Sequence, residues 1–311
     1  MSSPPQSRSQ SRQTTLYAIL FALSISILSQ MNKIASTWQL PFLVLFFRYM
    51  FAFGGNFVSQ RLGLFQCTYA GKTRKPLLTL NAIIYTSSHA LQVIGLAYAP
   101  SLLFAILFAT VPIWTEIIAF FILKEYPGLK ATVLVIISLA ALIIMLILNQ
   151  HEKMGAVNPL GFIILLISCI LEAFNNTLIR FLRDQYTSME INFYATGTGF
   201  FLCTLLLVGS CIMTPGLAGK MIATIPHASF LLPSIYLGLI GTFIAGILKG
   251  ILLQRMNALT ASAWSNVSSA LSIIFGVVFL HETLHGYQIV CTIVIIASVL
   301  GIQAVKAGKA D

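Results

Sequence analysis

Between Ser101 and Leu123 the chain reads SLLFAILFATVPIWTEIIAFFIL, and Glu116 is the lone charged side chain in the run. About 23 residues at 1.5 Å each make roughly 35 Å of helix, enough to cross a hydrocarbon core of about 30 Å. Pro112 lies inside this run. In a water-soluble helix it would cost about 3 kcal/mol. In a bilayer, neighbouring helices re-satisfy the carbonyl that a proline frees. Ala105, Ala109 and Ala119 share the face of Pro112, a small-residue strip that lets a second helix come close. Such a run folds as a packed inner membrane helix.

The pattern returns. Ala258 to Glu282 reads ALTASAWSNVSSALSIIFGVVFLHE, again an apolar span ending in an acid. Glu125 and Glu282 are 157 positions apart in a chain of 311, so the halves read as an internal repeat in which Pro112 falls on Ser269. Ten spans fit, at about 15–32, 40–60, 78–98, 101–123, 129–149, 159–180, 190–213, 230–253, 258–280 and 287–306. Their connections are too short for a soluble domain, the longest polar one being Leu62–Pro76. Residues 1–14 are rich in Ser, Gln and Pro and read as a disordered cytoplasmic tail, not a signal peptide, since no small-residue cleavage site follows.

Charged residues make up 8% and hydrophobic residues 58% of the chain, against about 25% charged in soluble proteins. Of the 18 lysines and arginines, 13 fall in segments that are cytoplasmic if the N-terminus is inside, and 3 fall outside. That bias sets both termini in the cytoplasm and accounts for the +10 net charge without nucleic acid. Five spans per half is an odd number, so the second half enters the membrane from the opposite side. The expected fold is an all-α membrane protein of ten transmembrane helices, in two inverted five-helix repeats at 15–150 and 151–306, with tails at 1–14 and 307–311. Inverted repeats hold a substrate near the bilayer midplane. The five cysteines show no metal-ligand spacing. No nucleophile elbow, P-loop or zinc-protease motif is present. The chain therefore reads as a non-enzyme without a cofactor, whose partners are the lipid bilayer and a small-molecule substrate. A monomer and a homodimer are both compatible with the sequence.

Three motifs stand in order: Pro41 followed by FFRYMFA (46–52), ALQVIGLAYAPSLLFAILFATVPIW…LKE (90–125), and ALTASAWSN…FGVVFLHETL (258–284). With their doubled spacing, the chain over about 15–306 resembles the ten-helix EamA-like branch of the drug/metabolite transporter superfamily. It departs from many relatives at Ser269, where they carry a second proline, and at His281, where a glycine precedes the acid. The resemblance implies alternating-access transport of a small organic metabolite (an amino acid, related metabolite or drug) in a bacterial inner membrane, driven by protons or by exchange. A nucleotide-like or sugar-nucleotide exchanger, or a membrane enzyme or assembly factor, are the alternatives.

Charges inside spans cost about 2.5–3.5 kcal/mol each on insertion scales, so each needs a reason. Arg48, Glu116, Glu172 and Lys249 are the candidates for charge coupling or gating. The last three lie at similar depth and invite pairing. Glu116 reads equally as a proton or cation site and as the partner of Lys249. If Lys249 takes one acid, the other is left to carry a proton, and Glu172 is the expected free one. Polar faces mark a cavity: Tyr85, Ser88, His89 and Gln92 on span three; Ser168, Glu172, Asn175 and Asn176 on span six; Ser262, Ser265, Asn266, Ser269 and Ser272 on span nine. From these, Tyr85, His89, Gln92, Glu172, Asn176, Asn266 and Ser269 are expected at the substrate, together with Trp114, which suits a cavity or a lipid-facing place. Trp264 is expected to be an interfacial anchor.

Overall fold

The structure is a computed structural model that describes residues 8–67, 72–98, 107–108, 110–124, 128–148, 158–256, 258–280 and 286–307. Among these residues every regular element is helical. The elements are α1 (Arg8–Ser26), α2 (Leu28–Ser36), α3 (Pro41–Arg61), α4 (Lys75–Tyr98), α5 (Val111–Leu123), α6 (Leu129–Leu148), α7 (Pro159–Leu182), α8 (Ser188–Met213), α9 (Leu217–Thr224), α10 (Ala228–Ile235), a π-helical stretch (Tyr236–Ile244), α11 (Ala245–Arg255), α12 (Ala258–Leu280) and α13 (Gly286–Ala307). Five helical segments are long and apolar enough to cross a membrane: α3, α4 as far as Gly95, α7, α8 and the continuous 228–255 segment. Shorter apolar stretches lie in α5, α6 and α13.

Local chemistry sets the helix starts. Pro41 and Pro159 occupy first-turn positions, where the missing N–H is no loss. The Asn158 side chain accepts from Leu160 N at 2.9 Å. Thr187 and Glu190 form a reciprocal capping box at the head of α8. Pro233 sits inside α10 and has no N–H to donate. Just beyond it the helix loosens into π geometry, and Thr242 Oγ1 donates to Leu237 O five residues back at 2.8 Å. π geometry inside α-helices is frequent at functional sites.

The burial pattern is the reverse of a water-soluble bundle. On α7, Leu160, Ile163 and Ile167 face outward, while Ser168, Glu172, Asn175 and Asn176 are buried. On α3, Phe57 and Val58 are exposed, whereas Arg48, Tyr49 and Asn56 are buried. Apolar outside and polar inside suits a lipid surround, where backbone groups are satisfied within helices and polar side chains turn to the bundle interior. The chain is a multi-pass integral membrane protein.

Helix α4 packs along α7 and α8, α3 along α8 and the π stretch, α5 along α7 and α12, α6 along α13, and α1 along α11 and α12. Two glycines permit close approaches to α3. A Cβ on Gly199 would run into the ring of Tyr49, and one on Gly238 would meet Phe51 and the backbone carbonyl of Arg48. Both lie where the two chain halves meet.

Two expectations are corrected. The first span, expected at 15–32 after a disordered tail, is two helices that meet at Ile27, and the first already begins at Arg8. Packing on α11 and α12 reaches down to buried Thr14, so ordering extends past the apolar run. Trp264, expected at the interface, is only 4% exposed and belongs to the main core, because α12 lies between α1, α5 and α13.

Candidate functional site

A polar column runs through the bundle interior, built by α3, α4, α7 and the 228–255 segment. Towards one end Lys249 Nζ forms an ion pair with Glu172 Oε1. Ser88 Oγ donates to the other carboxylate oxygen at 3.0 Å. The ammonium also lies 5.9 Å from the centre of the Tyr85 ring, within cation–π range. Lys249 therefore takes Glu172 and not Glu116. The expectation that Glu172 is the acid without a counter-charge is overturned. Which acid Lys249 meets depends on helix rotation, which periodicity alone does not set.

Further along, Tyr85 and His89 sit edge-to-face with ring centres 4.5 Å apart, and Tyr49 OH lies 3.3 Å from His89 Nδ1. His89 Nδ1 is also 2.9 Å from Tyr85 O. Next to Tyr49, Arg48 is buried and donates from Nε to Thr242 Oγ1 at 2.6 Å. Thr242 is seven residues before Lys249, about 10 Å along a helix axis. The column thus joins two cations through a tyrosine–histidine cluster.

Beside the Lys249 end lies a cavity of about 20 Å³, lined by Asn81, Tyr85, Asn175, Ser188, Asn192 and Lys249, among others. That is room for about one water and not for an organic substrate. Asn81 Nδ2 donates to Asn175 Oδ1 at 2.8 Å, and the Asn175 amide nitrogen has no partner among the described residues. The Asn176 side-chain oxygen is likewise buried and unpartnered among them.

Contacts between helix ends flank the column. At the end reached by the 62–76 connection, Lys72 pairs with Glu190 at 2.7 Å and Arg74 Nη1 donates to Phe181 O at 2.6 Å. Gln185 binds Arg74 N at 3.0 Å and Thr73 Oγ1 at 2.9 Å. At the other end the rings of Trp38 and His227 lie 4.9 Å apart.

The remaining expected residues separate. Glu116 is half-buried and accepts from Thr132 Oγ1 at 2.6 Å, on the α5–α6 pair and away from the column. Trp114 packs between Val111 and the Leu165–Cys169–Ala173 face of α7, its Nε1 donating to Thr110 at 3.1 Å. It faces neither the column nor lipid alone. Asn266 is buried and bridges α12 to Ser138 of α6 at 3.3 Å. Ser262 and Ser268 donate to carbonyls of their own helix. Gln92 is half-buried on α4. The side chains of Ser269 and Ser272, and residues Ala105, Ala109, Glu125, His281 and Glu282, lie outside the described residues. The polar periodicity did not single out Tyr49, Asn81, Asn192 and Thr242. Two of them were within reach, since Tyr49 follows Arg48 directly and Asn81 lies one turn before Tyr85 on the same face.

Comparison with known proteins follows this geometry. Residues 159–303 match the EamA-like transporter family. The chain is 25% identical to "Uncharacterized transporter YcxC" of Bacillus subtilis (strain 168) over 295 residues, 93% of each chain. A protein of known crystal structure superposes with a TM-score of 0.78 over 97% of this chain and 99% of its own, at 16% identity. That last likeness concerns the fold.

Proposed function

We propose, from the match of residues 159–303 to the EamA-like transporter family, that the chain is a secondary transporter moving a small organic metabolite by alternating access. The observation that carries this is the buried polar column inside a bundle whose outer surface is apolar. Its cavity holds about one water, so the column must widen to load a substrate.

The ten-helix inverted repeat has support in the helix pairing. Replace each span by the one five places away, taking α1–α2 as the first and 228–255 as the eighth. The contact of α4 with α7 then becomes that of 228–255 with α1–α2, and the contact of α5 with α7 becomes that of α12 with α1–α2. The contact of α3 with 228–255 becomes that of α8 with α4, and all of these pairs pack. The contacts α3–α8, α6–α13 and α5–α12 map onto themselves. This is the pattern of a two-fold axis in the membrane plane. Repeats at 15–150 and 151–306, both termini inside, and a bacterial inner membrane complete the proposal.

Glu172, the acid described in the column, has its counter-charge in Lys249, and Glu116 lies away from the column, where it accepts from the Thr132 hydroxyl. That favours exchange over proton coupling as the source of energy. A sugar-nucleotide substrate asks for several cations at its diphosphate, and Lys249 is already taken. The test is reconstitution of purified protein in liposomes preloaded with a metabolite mixture, followed by uptake of labelled members without a pH gradient. Uptake that requires internal metabolite supports exchange. Uptake only with a pH gradient favours proton coupling, and no uptake of any member removes the transporter reading.

A further inference from the structure

The column contains one cation that its own described residues do not balance. Lys249 is paired with Glu172. Arg48, 6% exposed, meets no carboxylate among the described residues, and only its Nε has a hydrogen-bond partner there. A guanidinium offers five N–H donors in a planar fork suited to a carboxylate. The bond to Thr242 orients that fork, yet a hydroxyl cannot offset a charge. A glutamine could make the same bond without the penalty of placing a cation in a membrane interior.

Nearby, Tyr85 lines the cavity, and its hydroxyl is without a hydrogen bond among the described residues. Its ring packs edge-on to Tyr49, next to Arg48, with centres 6.3 Å apart. The Arg48 guanidinium and the Tyr85 phenol are close enough to interact electrostatically.

Resting on the transporter reading, we propose that Arg48 is the receptor for the substrate's acid group, and that the substrate is a small organic acid with one net negative charge. One unbalanced cation matches one carboxylate. A phosphate monoester, at about −1.5 to −2, would leave negative charge uncovered, and a zwitterionic amino acid would leave the column positive.

The experiment is counterflow in proteoliposomes with four labelled probe sets: monocarboxylates of two to nine carbons, the matching amides, zwitterionic amino acids, and phosphate monoesters. Monocarboxylates carried in preference to their amides are the expected result. Amides, amino acids or phosphate esters carried instead would overturn the proposal while leaving the transporter reading intact. No transport of any probe would count against both.

Variants separate a binding role from a structural tie. In R48Q the preference for acid over amide is expected to fall about tenfold or more, the scale of a lost charge-assisted contact. R48K is expected to keep part of that preference. T242V removes the tie but keeps the charge, and its preference is expected to stay within about threefold of wild type. Equal loss of preference in T242V and R48Q would reduce Arg48 to a tie for the π stretch and overturn the proposal. If R48Q fails to fold, the comparison of R48K with T242V decides: preference lost in T242V but kept in R48K overturns the proposal in the same way.

Discussion

Replacing Glu172 with glutamine removes a charge while preserving shape, which makes it a sharp probe of the column. Glutamine keeps an oxygen that can accept from Ser88, so the 3.0 Å bond on that side can persist. What disappears is the counter-charge of Lys249, whose side chain is 17% exposed against 9% for Glu172. Removing one partner of a buried ion pair costs about 3–5 kcal/mol, because the other charge is left uncompensated. The residual exposure of Lys249 and the retained amide oxygen place this variant at the lower end, about 3 kcal/mol. With roughly 2 °C per kcal/mol in chains of a few hundred residues, the melting temperature should drop by about 6 °C.

The assay is thermal unfolding in detergent with a thiol-reactive dye, reporting exposure of the buried free cysteines Cys169, Cys203 and Cys291. The double variant E172Q/K249M, neutral at both positions, should regain most of the loss, since two well-packed uncharged side chains carry no stranded charge. The reasoning is refuted if E172Q melts within about 2 °C of wild type, or if the double variant melts below E172Q.

Three further outcomes are expected. Gly199→Ala places a Cβ in the ring of fully buried Tyr49 and should cost about 1–3 kcal/mol, whereas Gly209→Ala, with nothing within 4 Å, should be neutral or slightly stabilising; equal melting temperatures for the two would deny the close α3–α8 contact. Asn176→Leu, at a buried amide whose oxygen has no partner among the described residues, should lower transport about tenfold while leaving melting nearly unchanged, and unaltered kinetics would assign that face to packing. Single cysteines at Lys153 and Lys220, in a background free of native cysteines, should react with an impermeant maleimide from outside, and labelling only after permeabilisation would reverse the proposed topology.

Hydropathy and period determined the spans. An apolar run of about 20 residues has one stable fate in a bilayer, and among the described residues five helical segments are long and apolar enough to cross one, with shorter apolar stretches in α5, α6 and α13. The α7 face of Ser168, Glu172, Asn175 and Asn176 was legible for the same reason, because 100° per residue fixes which side chains share a side. Tertiary packing decided what those faces meet. Lys249 and Glu172 are 77 positions apart, and the choice of Glu172 over Glu116 followed from the rotation of 228–255 against α7. Tyr49 reaches His89 across 40 positions because α3 and α4 contribute to one wall. Trp264 is buried because α12 sits between α1, α5 and α13. A helix's own sequence says which side is polar; its neighbours alone say which partner that side finds.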